Sequence, residues 1–393
     1  VEGARAFIEG EVNSLPGVRV VDRYTVELTL EYPYVPLLPN LAVSSVGIIP
    51  MSVWMDMGKE AFGRAPVGCG PFVFKEWIPG ERVVLETFPD YFAGRACIDR
   101  LEFIMESEEK SNFELLKAGV YDIVELGAKD VAKAKQDPEY SKYLIEKPSL
   151  SLQYIGINIQ RSAPFKDKLV RQALSYAFDR EGYLKKFVEQ GALPAKGVLP
   201  PGIPGYNPDL KGYEYDLAKA RSLMAEAGYP DGLPGEYEFV IREGPIQEAR
   251  AEFVKECFEK IGVRVRFSKG DWKHFLDKVH GGETDIFMLG WRSDNGDPDN
   301  FFYPLFHTMS KGSAGNAMFY SNPDVDKLLE EARSTLNPIR REELYRKAEE
   351  LIVEDAPMIF VSHGINHYLL APPVKGVLIH PLGFVSVEGV WKE

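Results

Sequence analysis

The stretch Trp291-Arg292-Ser293-Asp294-Asn295-Gly296-Asp297-Pro298-Asp299-Asn300-Phe301-Phe302 gathers an indole, a hydroxyl and three carboxylates within a few residues. It follows the apolar run Ile286–Leu289, whose length suits a short buried strand. Gly, Asn, Asp and Pro then break regular structure. Asp294 therefore stands just past the end of a core strand, where open α/β sheets meet their ligands. Acids alternating in a loop also suggest calcium. However, an EF-hand counted from Asp294 needs Gly at its sixth position and Glu at its twelfth, and those places hold Asp299 and Leu305. Ordinary turn chemistry is the plain alternative for the acids.

Catalytic constellations are hard to assemble. No Gly-x-Ser-x-Gly elbow and no His-Glu-x-x-His helix occurs. His274 and His280 are spaced too widely to share a helix face. His363 and His367 have helical spacing, but their neighbours read as a strand. No catalytic residue, metal ligand or cofactor is assigned. A hydrolase with an acidic cleft stays as the alternative from another class, because Asp and Glu are plentiful.

Residues Glu236 to Gly290 are the elements that must position Asp294. Tyr237–Ile241 reads as a strand, Gln247–Ile261 as an amphipathic helix closed by Gly262, and Val263–Phe267 as a second strand. Asp271 then caps a helix to about Val279, and Asp285–Leu289 is the third strand. This β-α-β-α-β order implies parallel strands with right-handed crossovers. Arg242 follows the first strand, Trp272 opens the second helix and Asp294 follows the third strand. Carboxyl ends of parallel strands share one edge, so all three are expected at one crevice.

The chain has 393 residues, 45% hydrophobic and 27% charged, with room for two or three domains. Its net charge of -13 disfavours nucleic-acid binding. No apolar run is long enough to span a bilayer. Cys69, Cys97 and Cys257 match no zinc spacing, and a Cys69–Cys97 disulfide is left open. The chain starts at Val1 without a signal-peptide pattern.

Along the chain, Gly17–Val21 and Tyr24–Leu30 read as a hairpin with Val26, Leu28 and Leu30 on a buried face. Phe72–Trp77 and Arg82–Thr87 form a second hairpin. Leu115 to Val124 and Lys278 to Phe287 repeat the order helix end, glycine, strand, which suggests two lobes built alike. Ser151 to Ile159 is extended, and Asp167 is placed to cap a helix. Pro323 to Glu354 is helical and charge-rich, with Glu342, Glu343, Arg346, Lys347, Glu349 and Glu350 expected on a solvated face.

Trp291 to Phe302 resembles the Trp-x-x-Asp-x-x-Asp-Pro-x-x-Phe signature of the family 5 solute-binding proteins, the peptide receptors of ABC importers, and is similar in particular to their dipeptide-binding branch. Pro66-Val67-Gly68-Cys69-Gly70-Pro71, Ala163 to Ala177, Pro200-Pro201-Gly202 and Pro357 to His363 match further family segments in order. The resemblance implies an α/β, two-lobed periplasmic-binding-protein-like fold (type II, cluster C-like) with a central hinge. It divides the chain into lobe I, residues 1–154 plus 373–393 with a remnant of the accessory domain, and lobe II, residues 155–372. The hairpin at Gly17 lies well inside the family's pattern, so the first lobe is expected to be incomplete. The ligand-binding set implied is Asp294, Trp291, Ser293, Arg242 and Trp272. Asp294 would meet a peptide ammonium, Arg242 the carboxylate, and the two tryptophans would wall the pocket. The partners implied are a short peptide and the permease subunits of an ABC transporter, with the receptor a monomer, periplasmic or at the cell surface. Receptors for haem, a nickel complex or an oligosaccharide are the alternatives within the family; haem would bring a visible chromophore.

Overall fold

The structure is a computed structural model, and it describes residues 1–105 and 111–393. Its centre is an eight-stranded mixed sheet. The strands run in the order Val265–Gly270, Tyr237–Arg242, Ile286–Arg292, Ser151–Ile157, Met358–Leu370 and Ile123–Glu125, with Leu144–Pro148 and Ala192–Pro194 also paired to Met358–Leu370. Tyr237–Arg242 is parallel to both Val265–Gly270 and Ile286–Arg292, as the β-α-β-α-β order requires. Ile286–Arg292 then pairs antiparallel with Ser151–Ile157.

Alternation along these strands feeds two cores. Leu152, Tyr154, Val240, Phe287 and Phe360 join one, with the helices that follow Trp272, Asp299, Pro323 and Pro338. Ile155, Ile157, Phe239, Ile241, Ile286 and Ile359 join the other, with Lys168–Ala177 and Pro245–Glu259. A sheet buried on both faces needs near-continuous apolar strands, and Tyr237–Arg242 is one, buried except at Arg242.

Met358–Leu370 is the longest strand and changes partners along its length. Its first part pairs with Ser151–Ile157 and its later part with Leu144–Pro148 and Ile123–Glu125. The register shifts between Phe360 and Ser362, a bulge that bends the strand near this change of partners. A third core, with Phe113, Leu116, Val131 and Leu369, lies on the far side.

Local signals read from the residues recur here. Asp167 accepts a hydrogen bond from the Leu169 N–H, and Asp271 from that of His274. Gly119 and Gly282 follow helix ends with φ of 73° and 70°. Two expectations change. Val18–Asp22 and Thr25–Leu28 do pair, but Val26 is 61% exposed and Leu28 and Leu30 are only partly buried, so the hairpin's apolar face is not closed into a core. Glu349 is buried, because it lies one turn from Tyr345 and Ile352 on the core side of its helix. The three cysteines are free, Cys69 and Cys97 at the surface and Cys257 in the core. No described helix is long and apolar enough to cross a membrane.

Candidate functional site

A cleft of about 270 Å³ opens where the parallel strands end. Val240, Ile241, Met288, Leu289 and Gly290 contribute from the strands; the openings of helices Pro245–Glu259 and Trp272–His280 contribute Gln247, Arg250, Trp272 and Phe275. Helices start at this edge because each follows a parallel strand, and their N-termini bring free N–H groups with them.

Arg242 and Trp272 meet in this cleft. Arg242 is the last residue of its strand and is exposed, with its guanidinium 5.1 Å from the centre of the Trp272 ring. Trp272 is 49% exposed and stacks on Phe275 at 5.5 Å. Cation–π contact and stacking hold both side chains in place without using Arg242's hydrogen-bonding edge.

The other three predicted residues lie next to the cleft and do not line it. Trp291 follows Gly290, and alternation puts it on the face of Phe287 and Leu289, against the core. Its indole N–H donates to the Asn300 carbonyl at 2.7 Å. Ser293 is buried: its N–H donates to the Leu150 carbonyl at 2.8 Å, and its hydroxyl accepts from the Gly296 N–H at 2.9 Å. Asp294 is exposed, with its N–H donating to the Asn300 side-chain oxygen at 3.1 Å. Its carboxylate has no hydrogen bond or ion pair among the described residues.

The remaining polar residues of this loop are used internally. Arg341 donates to both Asp297 oxygens, at 2.9 and 2.6 Å, in a buried bidentate pair. Asp299 lies 3.1 Å from the Arg333 Nε, and burial pushes its carboxyl up to about 6. Asn295 donates to the Asn40 side-chain oxygen at 2.6 Å. The loop is thus anchored on three sides, and Asp294 alone of its acids faces outward unpaired.

Residues not singled out from sequence also line the cleft: Gln153, Tyr183, Gln247 and Arg250. One signal was available. Gln247 and Arg250 are one turn apart on a helix that begins just after Arg242, so they share a face. Gln153 carried none, because it reaches the cleft only through its register partner Gly290. A side chain at Gly290 would sit 2.3 Å from the Gln153 amide nitrogen, so glycine there makes room for that amide.

A second, smaller cavity of about 80 Å³ is lined by Glu349, His363 and Tyr206. Glu349 accepts from the Val198 and Leu199 N–H groups at 2.7 and 3.0 Å, yet burial still raises its carboxyl to about 7. His363 is buried beside the Ser151 carbonyl, and burial lowers it to about 4.

Comparison with known proteins identifies the family and the fold. Residues 3–313 match the family described as bacterial extracellular solute-binding proteins, family 5 Middle. Heme-binding protein A of Haemophilus influenzae is 33% identical over 384 residues, which is 96% of this chain and 70% of that protein. The dipeptide-binding protein of Escherichia coli is 30% identical over 381 residues, 95% of this chain and 71% of that one. The structure of HbpA2 from Haemophilus parasuis superposes with a TM-score of 0.86 at 31% identity, covering 98% of this chain and 78% of that one. The two-lobed α/β architecture is shared, and the chain belongs to the family 5 bacterial extracellular solute-binding proteins.

Proposed function

We propose that this chain is an extracytoplasmic receptor that binds short peptides between its lobes and delivers them to the permease of an ABC importer. In this reading it is a binder rather than a catalyst, acting as a monomer. The single observation that carries it is Asp294: exposed, its N–H tied to Asn300 and its carboxylate unpaired among the described residues, while the neighbouring acids are consumed by Arg341 and Arg333. A fixed carboxylate at a strand end suits an ammonium group, because a charge-assisted bond in a closing cleft gains strength as water leaves.

Arg242 is then the partner of the peptide carboxylate, and Trp272 an apolar wall that tolerates varied side chains. Trp291 and Ser293 serve by fixing the Asp294 loop. The lobes would be residues 1–154 with 373–393, and 155–372. The hinge would lie where the chain crosses between them, within Ser151–Ile157 and just after Met358–Leu370. The E. coli dipeptide-binding protein supports the ligand class by its name.

Thermal stability in the presence of short peptides tests this, because a ligand of the native state raises stability by mass action. Free dipeptides should raise the melting temperature. Acetylating the peptide N-terminus, or Asp294→Ala, should remove most of the shift. A folded protein indifferent to every peptide would overturn the reading. The haem reading draws on the name of the H. influenzae relative; it predicts a visible absorption band on adding haem.

A further inference from the structure

Arg250 is the second guanidinium of the cleft. It lies half-buried near the start of helix Pro245–Glu259, which follows the strand that ends at Arg242. Its only hydrogen bond among the described residues is from one terminal nitrogen to the Phe187 carbonyl, long at 3.4 Å. Its Nε–H is buried and has no acceptor. A buried donor without a partner costs free energy, and one on a charged group costs more. Neither Arg242 nor Arg250 has an ion pair among the described residues, and no Asp or Glu lines the cleft. Two unneutralised guanidiniums share this cleft in a chain of net charge -13.

We propose that the cleft selects peptides whose carboxyl-terminal residue carries a second carboxylate, Asp or Glu, with Arg242 taking the main-chain carboxylate and Arg250 the side-chain one. This rests on the peptide-binding reading above. The terminal guanidinium nitrogens, engaged only by the long bond to the Phe187 carbonyl, are the donors that such a carboxylate would complete, in a fork suited to two oxygens. Gln153 and Gln247 stand around the same space as neutral amides. Gly244, at φ 139°, lets Gln247 fold back over it: a side chain at that glycine would be 2.4 Å from the Gln247 oxygen. The cleft floor is thus shaped by amides that tolerate an anion, rather than by acids that repel one.

Calorimetric titration of the intact protein with Ala-Glu and its neutral isostere Ala-Gln tests this. Ala-Glu is expected to bind roughly tenfold or more tighter, in line with one charged hydrogen-bonded pair. The ratio should fall to about one in Arg250→Gln and be partly kept in Arg250→Lys, as a charge readout requires and a packing role does not. Equal binding of the two peptides by the unaltered protein overturns the proposal alone. So does a preference that survives Arg250→Gln. Failure of both peptides to bind overturns the peptide-binding reading together with it.

Discussion

Val26, in the hairpin near the start of the chain, and Phe287, in the large sheet, are both strand residues in alternating patterns, yet Val26 is 61% exposed and Phe287 is fully buried. The contrast extends to the regions around them. Within residues 1–105 the only buried hydrophobic residues are Val84 and Ala96. Val20, Ile48, Met51 and Phe92 there are all more than 60% exposed. In the sheet around Phe287, Tyr154, Ile155, Phe239 and Ile286 are closed off by helices on both faces. Alternation says which side chains share a face; burial needs a second layer to cover it.

The largest expected difference comes from the core. Phe287→Ala should cost about 3–5 kcal/mol, since its ring packs edge-on to Tyr154 and fills the space above Gly156. Val26→Ala should change stability by no more than about 0.5 kcal/mol. Equal shifts in urea midpoint would break the contrast.

Ion pairs should divide the same way. Arg341→Ala leaves Asp297 buried without its partner and is expected to cost about 3–5 kcal/mol, with part recovered by adding Asp297→Asn. The Arg19–Glu27 pair is exposed on both sides, so Arg19→Ala should cost about 0–1 kcal/mol. Denaturation of the single and double variants decides between them.

Glu349 sharpens the contrast through pH. Its carboxyl is raised from 4.5 to about 7 by burial, so between those values the folded state binds more protons than the unfolded chain. Stability from this group is therefore complete at low pH and declines as pH rises to about 7. Glu349→Gln should remove that slope and be more stable than the unaltered protein at pH 8, by about 1–3 kcal/mol. Parallel curves for the two proteins would refute the assignment.

A modest effect is expected where the two regions touch. Asn295 holds Asn40, the Val35 N–H donates to the Arg333 carbonyl, and the Arg333 guanidinium lies over Tyr34. Asn295→Ala should cost about 0.5–1.5 kcal/mol and speed hydrogen exchange mainly in residues 33–41. A change spread evenly over the sheet would show that the contact supports the whole fold.

Cleft residues split along a similar line in how legible they were. Arg242 and Trp272 were found because strand ends and helix starts are local features, and parallel topology brings them to one edge. Asp294 could be placed past a strand, but nothing local distinguished it from Asp297 and Asp299. Their fates depend on Arg341 and Arg333, more than thirty residues away in the chain. Arg250 was missed because a helix arginine is ordinarily a solvated charge, and only the cleft leaves its Nε without an acceptor.

By itself the sequence determined the parallel strand-helix order, the caps at Asp167 and Asp271, the glycines at helix ends and the family signature. Each of these rests on contacts within a few residues. Tertiary structure decided which polar groups remain unpaired, that Glu349 is buried and that Val26 of the first hairpin stays exposed. Those outcomes depend on what lies opposite a side chain, and the partner comes from elements distant in the chain, where local spacing has no reach.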